Sequence, residues 1–156
     1  MARYQAIVSW QRMPAEIFTD RRYSRAHQWQ FDGGAIIAAS SSPHIVPLPY
    51  SCAEHVDPEE AFIAALSSCH MLFFLALAAE QGWCVDHYED KASGTLAQNE
   101  EGHMSMTEVV LKPKVDFSGD RQPTHEEQEN LHRLAHEKCF IANSVKTKVL
   151  ISAIKT

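Results

Sequence analysis

The sequence predicts an α+β fold in which antiparallel sheets pack around a long buried central helix. Three observations carry that expectation. Residues 61–79, AFIAALSSCHMLFFLALAA, run for 19 positions without a charge, far longer than a strand. Alternating segments punctuated by turn glycines lie on both sides of this run. A second segment, from Thr124 to about Lys138, has amphipathic helical spacing. The chain has 156 residues, 45% apolar and 22% charged, which suits a single folded domain over 1–156 with a real core. Internal repeats and linker-like stretches are lacking.

Taken in order, residues 4–10 alternate as a strand, and 27–31 form another with Trp29 and Phe31 on one face. Asp32-Gly33-Gly34 reads as a hairpin turn, because glycine reaches the positive φ that tight turns require. Residues 35–40 return as its partner strand. The segment 40–51, SSSPHIVPLPYS, holds three prolines and is expected as a loop packed near the site. Asp57 is a good N-cap, with Pro58 at the first helical position and Glu60 three residues after the cap. The helix is expected over 58–81, roughly 36 Å long, with Gly82 as its stop. Residues 84–97 and 104–112 follow as two strands around the turn 99–102. Lys112-Pro113 ends or kinks the second, and 115–117 extends it. Thr124 and Glu127 form a capping box for the second helix, and 148–155 is expected as the closing strand.

The charge balance, 14 Lys+Arg against 20 Asp+Glu and a net charge of −6, argues against nucleic acid or an anionic membrane as partner. The uncharged run is formally long enough to cross a bilayer. Its flanks are acidic (Glu59, Glu60, Glu80), and Ser67, Ser68, Cys69 and His70 sit at its centre, where lipid tolerates polar groups poorly. A helix buried on nearly all sides is the better reading. The opening MARYQAIVSWQRMP has no apolar signal-peptide core, so a cytoplasmic protein is expected. No glycine-rich phosphate loop, dinucleotide fingerprint or hydrolase elbow is present, so no nucleotide or flavin cofactor is expected. Trp10, Trp29 and Trp83 read as core or interface anchors.

Four cysteines, Cys52, Cys69, Cys84 and Cys139, are too few and scattered for a disulfide scaffold. Cys69 lies mid-helix among Phe62, Leu66, Leu72 and Phe73, and Cys139 continues the apolar line Leu131, Ala135. Each taken singly is an ordinary buried thiol, and Cys52 and Cys84 read as packing residues. Reactivity sets a demand: an unperturbed thiol, with a pKa of about 8.5, is only about 3% thiolate at pH 7. Lowering its pKa by two to three units takes roughly 3–4 kcal/mol. A helix dipole contributes about 1 kcal/mol, and only in the terminal turn. One cation at about 4 Å in a partly buried site contributes about 4 kcal/mol. His70 points about 100° away from Cys69 around the helix, so the cation must come from elsewhere in the chain.

The stretch VDPEEAFIAALSSCHMLFFLALAAEQGW, the later HEKCFIANSVK, and YSRAHQWQFDGG followed by SSSP together resemble the OsmC/Ohr family of organic hydroperoxide reductases. The specific part is the combination of a Pro-Glu helix start ten residues before Ser-Cys with a second cysteine about 70 residues later. The resemblance implies an OsmC-like fold, an intertwined homodimer and a thiol peroxidase. It implies Cys69 as the peroxidatic cysteine, oxidised to a sulfenic acid, and Cys139 as the cysteine that resolves it as a disulfide. An external dithiol, typically dihydrolipoyl-type, is the implied reductant. Arg25 fits the family's active-site arginine, with Arg21 and Arg22 as competitors, and Glu59 fits the carboxylate that would hold it in a bidentate pair. Glu59 and Cys69 lie roughly 15 Å apart along a straight helix, so either the helix breaks or Glu59 serves the cysteine of a second chain. The sequence departs from many members in having Cys139-Phe140 where they have Cys-Pro.

Two other readings stand beside this one. His132 and His136 with Cys139, Cys52 with His55, and Cys84 with His87 have metal-ligand spacing. No Cys-x-x-Cys partner accompanies them, and His132 and His136, among Glu126, Glu127, Glu129 and Glu137, read as a solvated helix face. The other alternative is a non-catalytic protein that binds a small apolar ligand at a dimer interface.

Overall fold

Gly34, at φ 89°, turns the chain between the second and third strands of the first sheet. Its N–H donates to the Phe31 carbonyl, and the Phe31 N–H donates to that of Ala35. The structure is a computed structural model that describes residues 1–154. It comprises two units, Met1–Ala61 and a second that begins at Phe62.

The first unit is an antiparallel sheet of β1 (Ala6–Ser9), β2 (His27–Phe31) and β3 (Ile36–Ala39), with β2 central. β1 pairs Ala6 with Phe31, and β3 pairs Ala39 with His27. β1 is shorter than the expected 4–10 span, because pairing with β2 ends at Ser9 opposite Gln28. Between β1 and β2 lies one turn of 3₁₀ helix, Phe18–Asp20. The proline-rich segment 40–51 is irregular as expected, and Ser40, at its start, accepts the Cys52 N–H through its hydroxyl at 3.0 Å.

α1 (Pro58–Glu80) starts and stops where local chemistry says it should. The Asp57 carboxylate accepts the Glu60 N–H at 2.8 Å, and the Glu60 carboxylate reaches back to the Asp57 N–H at 3.4 Å. This reciprocal pair satisfies donors that a helix start leaves free. At the other end Gly82 is left-handed, at φ 79°. Trp83 N–H donates to the Ala78 carbonyl and Gly82 N–H to that of Ala79, the hydrogen bonds of a Schellman motif.

In the second unit, β4 (Cys84–Asp90) pairs antiparallel with β7 (Pro113–Ser118). β5 (Ser93–Gln98), β6 (Met104–Leu111) and β8 (Lys148–Ile151) form a separate sheet with β6 central. The expected single strand over 84–97 is therefore two strands in different sheets. Asp90 explains the break: its carboxylate accepts the Lys112 N–H and the Ser67 hydroxyl, each at 2.6 Å. Both chain segments thus change sheets at the same point, β4 to β5 after Asp90 and β6 to β7 at Lys112. β8 pairs parallel to β6, Glu108 opposite Lys148, so the sheets are not antiparallel throughout. β8 ends at Ile151, and of the expected 148–155 strand Lys155 lies outside the described residues.

α2 (His125–Lys138) is opened by the expected capping box of Thr124 and Glu127. Two apolar clusters hold the second unit. One joins Phe74, Leu77 and Ala78 of α1 to Trp83, Leu131 and Ala135, and the other joins Leu66 to Val109, Leu111 and Ile151. α1 is buried along the line Leu66, His70, Phe74, Leu77 and Ala78. Burial on nearly all sides is not reached within one chain, since Leu72 is 60% exposed.

The hydrogen bonds of Asp90 are tertiary, so their loss costs more than that of a surface carboxylate. Asp90→Ala is expected to lower unfolding stability by about 1–3 kcal/mol in urea titration, against less than about 1 kcal/mol for Asp86→Ala. Asp86 is exposed and accepts from the Ser118 hydroxyl at 2.9 Å and the Cys84 thiol at 3.9 Å, with no backbone N–H among its donors.

Candidate active site

Cys69 sits half-buried at the middle of α1, and Cys139 is buried at the C-terminal cap of α2. Both thiols are free, and the Cys139 side chain lies in contact with that of Cys69. Burial pushes the Cys139 thiol up to about 11, with the Cys69 contact adding to the rise. Cys139 is therefore a neutral S–H at pH 7, and its sulfur also accepts the Ala142 N–H at 3.4 Å. α2 stops without proline. Cys139 has φ −64° and ψ 111°, the extended region to which a following proline would confine it, although Phe140 follows. Phe140 packs edge-on against Phe73 at 5.0 Å.

Beside the thiols lies a buried polar pair not expected from sequence. His70 Nε2 and His132 Nδ1 are 3.0 Å apart, with the rings parallel at 5.3 Å. Phe74 stacks on His132 at 4.3 Å. His132 thus lies in the core, and the solvated face expected for it is corrected. The signal was present in the spacing: seven residues before Cys139 places His132 within about 20° of it around the helix. The four glutamates nearby mark only the outer face of the helix. The Nδ1 atoms of His70 and His136 are buried without a hydrogen-bond partner among the described residues.

Arg25 and Glu59 lie in the first unit, on one cavity of about 490 Å³ that Trp10, Phe18 and Tyr23 also line. Arg21 and Arg22 do not line it. The expected bidentate pair with Glu59 is not formed in this chain. Arg25 instead donates from Nη1 to the carbonyls of Arg21, at 2.8 Å, and Tyr23. Trp10 borders this cavity and is 41% exposed, whereas Trp83 is the buried core tryptophan. Cys52 donates to Glu54 at 3.3 Å, and Cys84 is exposed beside Asp86. Among the described residues no three His, Cys, Asp or Glu side chains converge as a metal site.

A family model described as OsmC-like protein matches residues 52–153. The chain belongs to the OsmC-like protein family. An OsmC-like protein of unknown function from Vibrio cholerae is 56% identical, with 97% of this chain and 99% of that one covered and a TM-score of 0.96. An organic hydroperoxide resistance protein from Elizabethkingia anophelis is 16% identical, with 97% and 93% covered and a TM-score of 0.70. The organic hydroperoxide resistance protein OhrB of Bacillus subtilis is 18% identical, with 96% of each chain covered and a TM-score of 0.61. At that identity the last two establish the OsmC-like fold alone. No curated protein matches the chain.

In this OsmC-like chain, burial lowers the pKa of His70 to about 3, with the charges of His132 and His136 adding to it, and burial lowers that of His132 to about 4. The unfolded chain protonates both near 6.5, so it binds more protons than the fold between those values. Stability is complete above about pH 6.5 and falls as pH drops toward 4, by about 1.4 kcal/mol per pH unit for each proton. Urea midpoints measured from pH 7.5 to 4.5 should show this slope, and the double variant His70→Phe/His132→Leu should flatten it.

Proposed function

We propose that this protein is a thiol-dependent peroxidase that reduces organic hydroperoxides to alcohols. The observation that carries the reading is the contact of two free thiols, Cys69 and Cys139, between α1 and α2. The Cys69 thiolate attacks the distal oxygen of the hydroperoxide. The O–O bond breaks, the alkoxide leaves as the alcohol after taking a proton, and Cys69 becomes a sulfenic acid. Cys139 then attacks the Cys69 sulfur. The S–S bond forms as its thiol proton and the sulfenic hydroxyl leave as water. An external dithiol, of dihydrolipoyl type, reduces the disulfide by two electrons and closes the cycle. Names of relatives with this fold, as organic hydroperoxide resistance proteins, support the substrate class.

The cation that Cys69 needs is assigned to Arg25, with Glu59 as its carboxylate partner, and the working protein to a homodimer. α1 is unbroken from Pro58 to Glu80, so Glu59 and Cys69 lie about 15 Å apart along its axis. That is too far for one guanidinium held at Glu59 to serve the same helix. The Arg25–Glu59 cavity of one copy would serve Cys69 of the other. The second copy would also cover the outer side of α1, where Leu72 is exposed.

The test is turnover of cumene hydroperoxide by the reduced full-length protein with dihydrolipoamide. Wild type should consume peroxide catalytically, and Cys69→Ser should not. Cys139→Ser should react once and then over-oxidise, because its sulfenate is unresolved. A wild type no faster than Cys69→Ser contradicts the peroxidase and favours a non-catalytic binder of apolar ligands. A fully active monomer in sedimentation contradicts the dimer.

A further inference from the structure

The segment from Trp10 to Arg25 is irregular apart from one 3₁₀ turn, yet its contacts converge on a single guanidinium. Arg25 Cζ lies 3.7 Å from the centre of the Tyr23 ring. Phe18 stacks on Tyr23 at 4.6 Å and 28°, and Trp10 meets Tyr23 edge-on at 5.5 Å. Trp10 is fixed in turn by its indole N–H, which donates to the Ser24 carbonyl at 2.8 Å. The Glu16 carboxylate ties the loop from beneath by accepting the N–H groups of Ser24 and Met13.

The backbone contributes as well. Arg21 has φ 64°, the one positive φ outside glycine among the described residues, in a region that L side chains seldom occupy. It caps the 3₁₀ turn there, and its carbonyl accepts from Arg25 Nη1. Strain of this kind persists where surrounding contacts over-determine it, and it concentrates at functional sites. Both carbonyl acceptors take Nη1, so no hydrogen bond from Nη2 or Nε of Arg25 occurs among the described residues.

We propose that Tyr23 is a positioning residue for the peroxidase reaction: its ring lies against the Arg25 guanidinium carbon while the Arg21 and Tyr23 carbonyls take Nη1, which leaves Nη2 and Nε for the reacting thiolate. The proposal rests on the assignment of Arg25 to the Cys69 reaction. A guanidinium on a flexible stem would otherwise lose orientation, and with it much of its effect on the thiolate. The Tyr23 hydroxyl has no part in this, since Arg25 meets the Tyr23 ring and its backbone carbonyl, and no hydrogen bond between that hydroxyl and Arg25 occurs among the described residues.

Stopped-flow rates of Cys69 oxidation in the full-length protein, with cumene and tert-butyl hydroperoxides, test it. Tyr23→Leu should slow both peroxides alike, by roughly tenfold on the scale of a cation–π contact. Tyr23→Phe should stay within about twofold of wild type, because the ring is kept. If Tyr23→Leu fails to fold, Phe18→Leu removes the ring beneath Tyr23 and should slow both peroxides by a smaller common factor. A loss confined to cumene hydroperoxide overturns the proposal in favour of a substrate contact. A normal rate in the folded Tyr23→Leu variant, or in Phe18→Leu where that one serves, overturns it too, and a slow Arg25→Gln beside it leaves the peroxidase reading intact. A normal rate in Arg25→Gln removes the assignment of Arg25 and this proposal with it.

Discussion

One uninterrupted helix has to serve two apolar clusters at once, and the second unit is arranged around that constraint. Leu66 of α1 belongs to the cluster of Val109, Leu111 and Ile151, while Phe74, Leu77 and Ala78 belong to that of Trp83, Leu131 and Ala135. Between them α1 carries Ser67, Cys69 and His70, which are the residues with chemistry. Ser67 is bound by Asp90 at the point where the strands change sheets. His70 is matched by His132 across the interface with α2. Cys69 is left beside Cys139 at the end of α2, where a thiol can be buried yet near a place where the backbone leaves the helix. Apolar packing on either side keeps α1 and α2 in place, and the polar residues occupy the seam.

The charged half of the candidate site is built on a different principle. A half-buried cation still needs partners to hold it, and here two backbone carbonyls and an aromatic ring provide them instead of a carboxylate. Glu59 shares the cavity with Arg25 but no ion pair joins them in this chain. On the peroxidase reading, this leaves the guanidinium with one edge uncommitted, which suits a group that must meet an anion formed during the reaction. The length of α1 between Glu59 and Cys69 is, on that same reading, the reason a second copy is proposed.

Much of this was legible from residue patterns because the signals are local. Asp57, Pro58, Glu60 and Gly82 bound α1 within a residue, and Thr124 with Glu127 opens α2 by the same chemistry. The turns at Gly34 and Gly102 follow from positive φ. Features that depend on distant partners were not legible. Nothing within residues 84–97 marks a break, since Asp90 is held by Lys112 and Ser67, far away in sequence. The parallel pairing of β8 with β6 likewise arises from the path of the intervening chain. The family resemblance singled out the two cysteines, and the structure puts them in contact. The geometry of Arg25 differs from expectation, because the carbonyls that hold it depend on a left-handed turn at Arg21 that no residue type announces.

The central claim is that Cys69 and Cys139 form one redox couple within a chain. Peptide mass mapping of the protein after one equivalent of cumene hydroperoxide, without reductant, tests it most directly. The protein should lose two hydrogens per chain and show a single intrachain link between the peptides carrying Cys69 and Cys139. A link through Cys52 or Cys84, or a Cys69 sulfenic acid that persists beside a free Cys139, would contradict it.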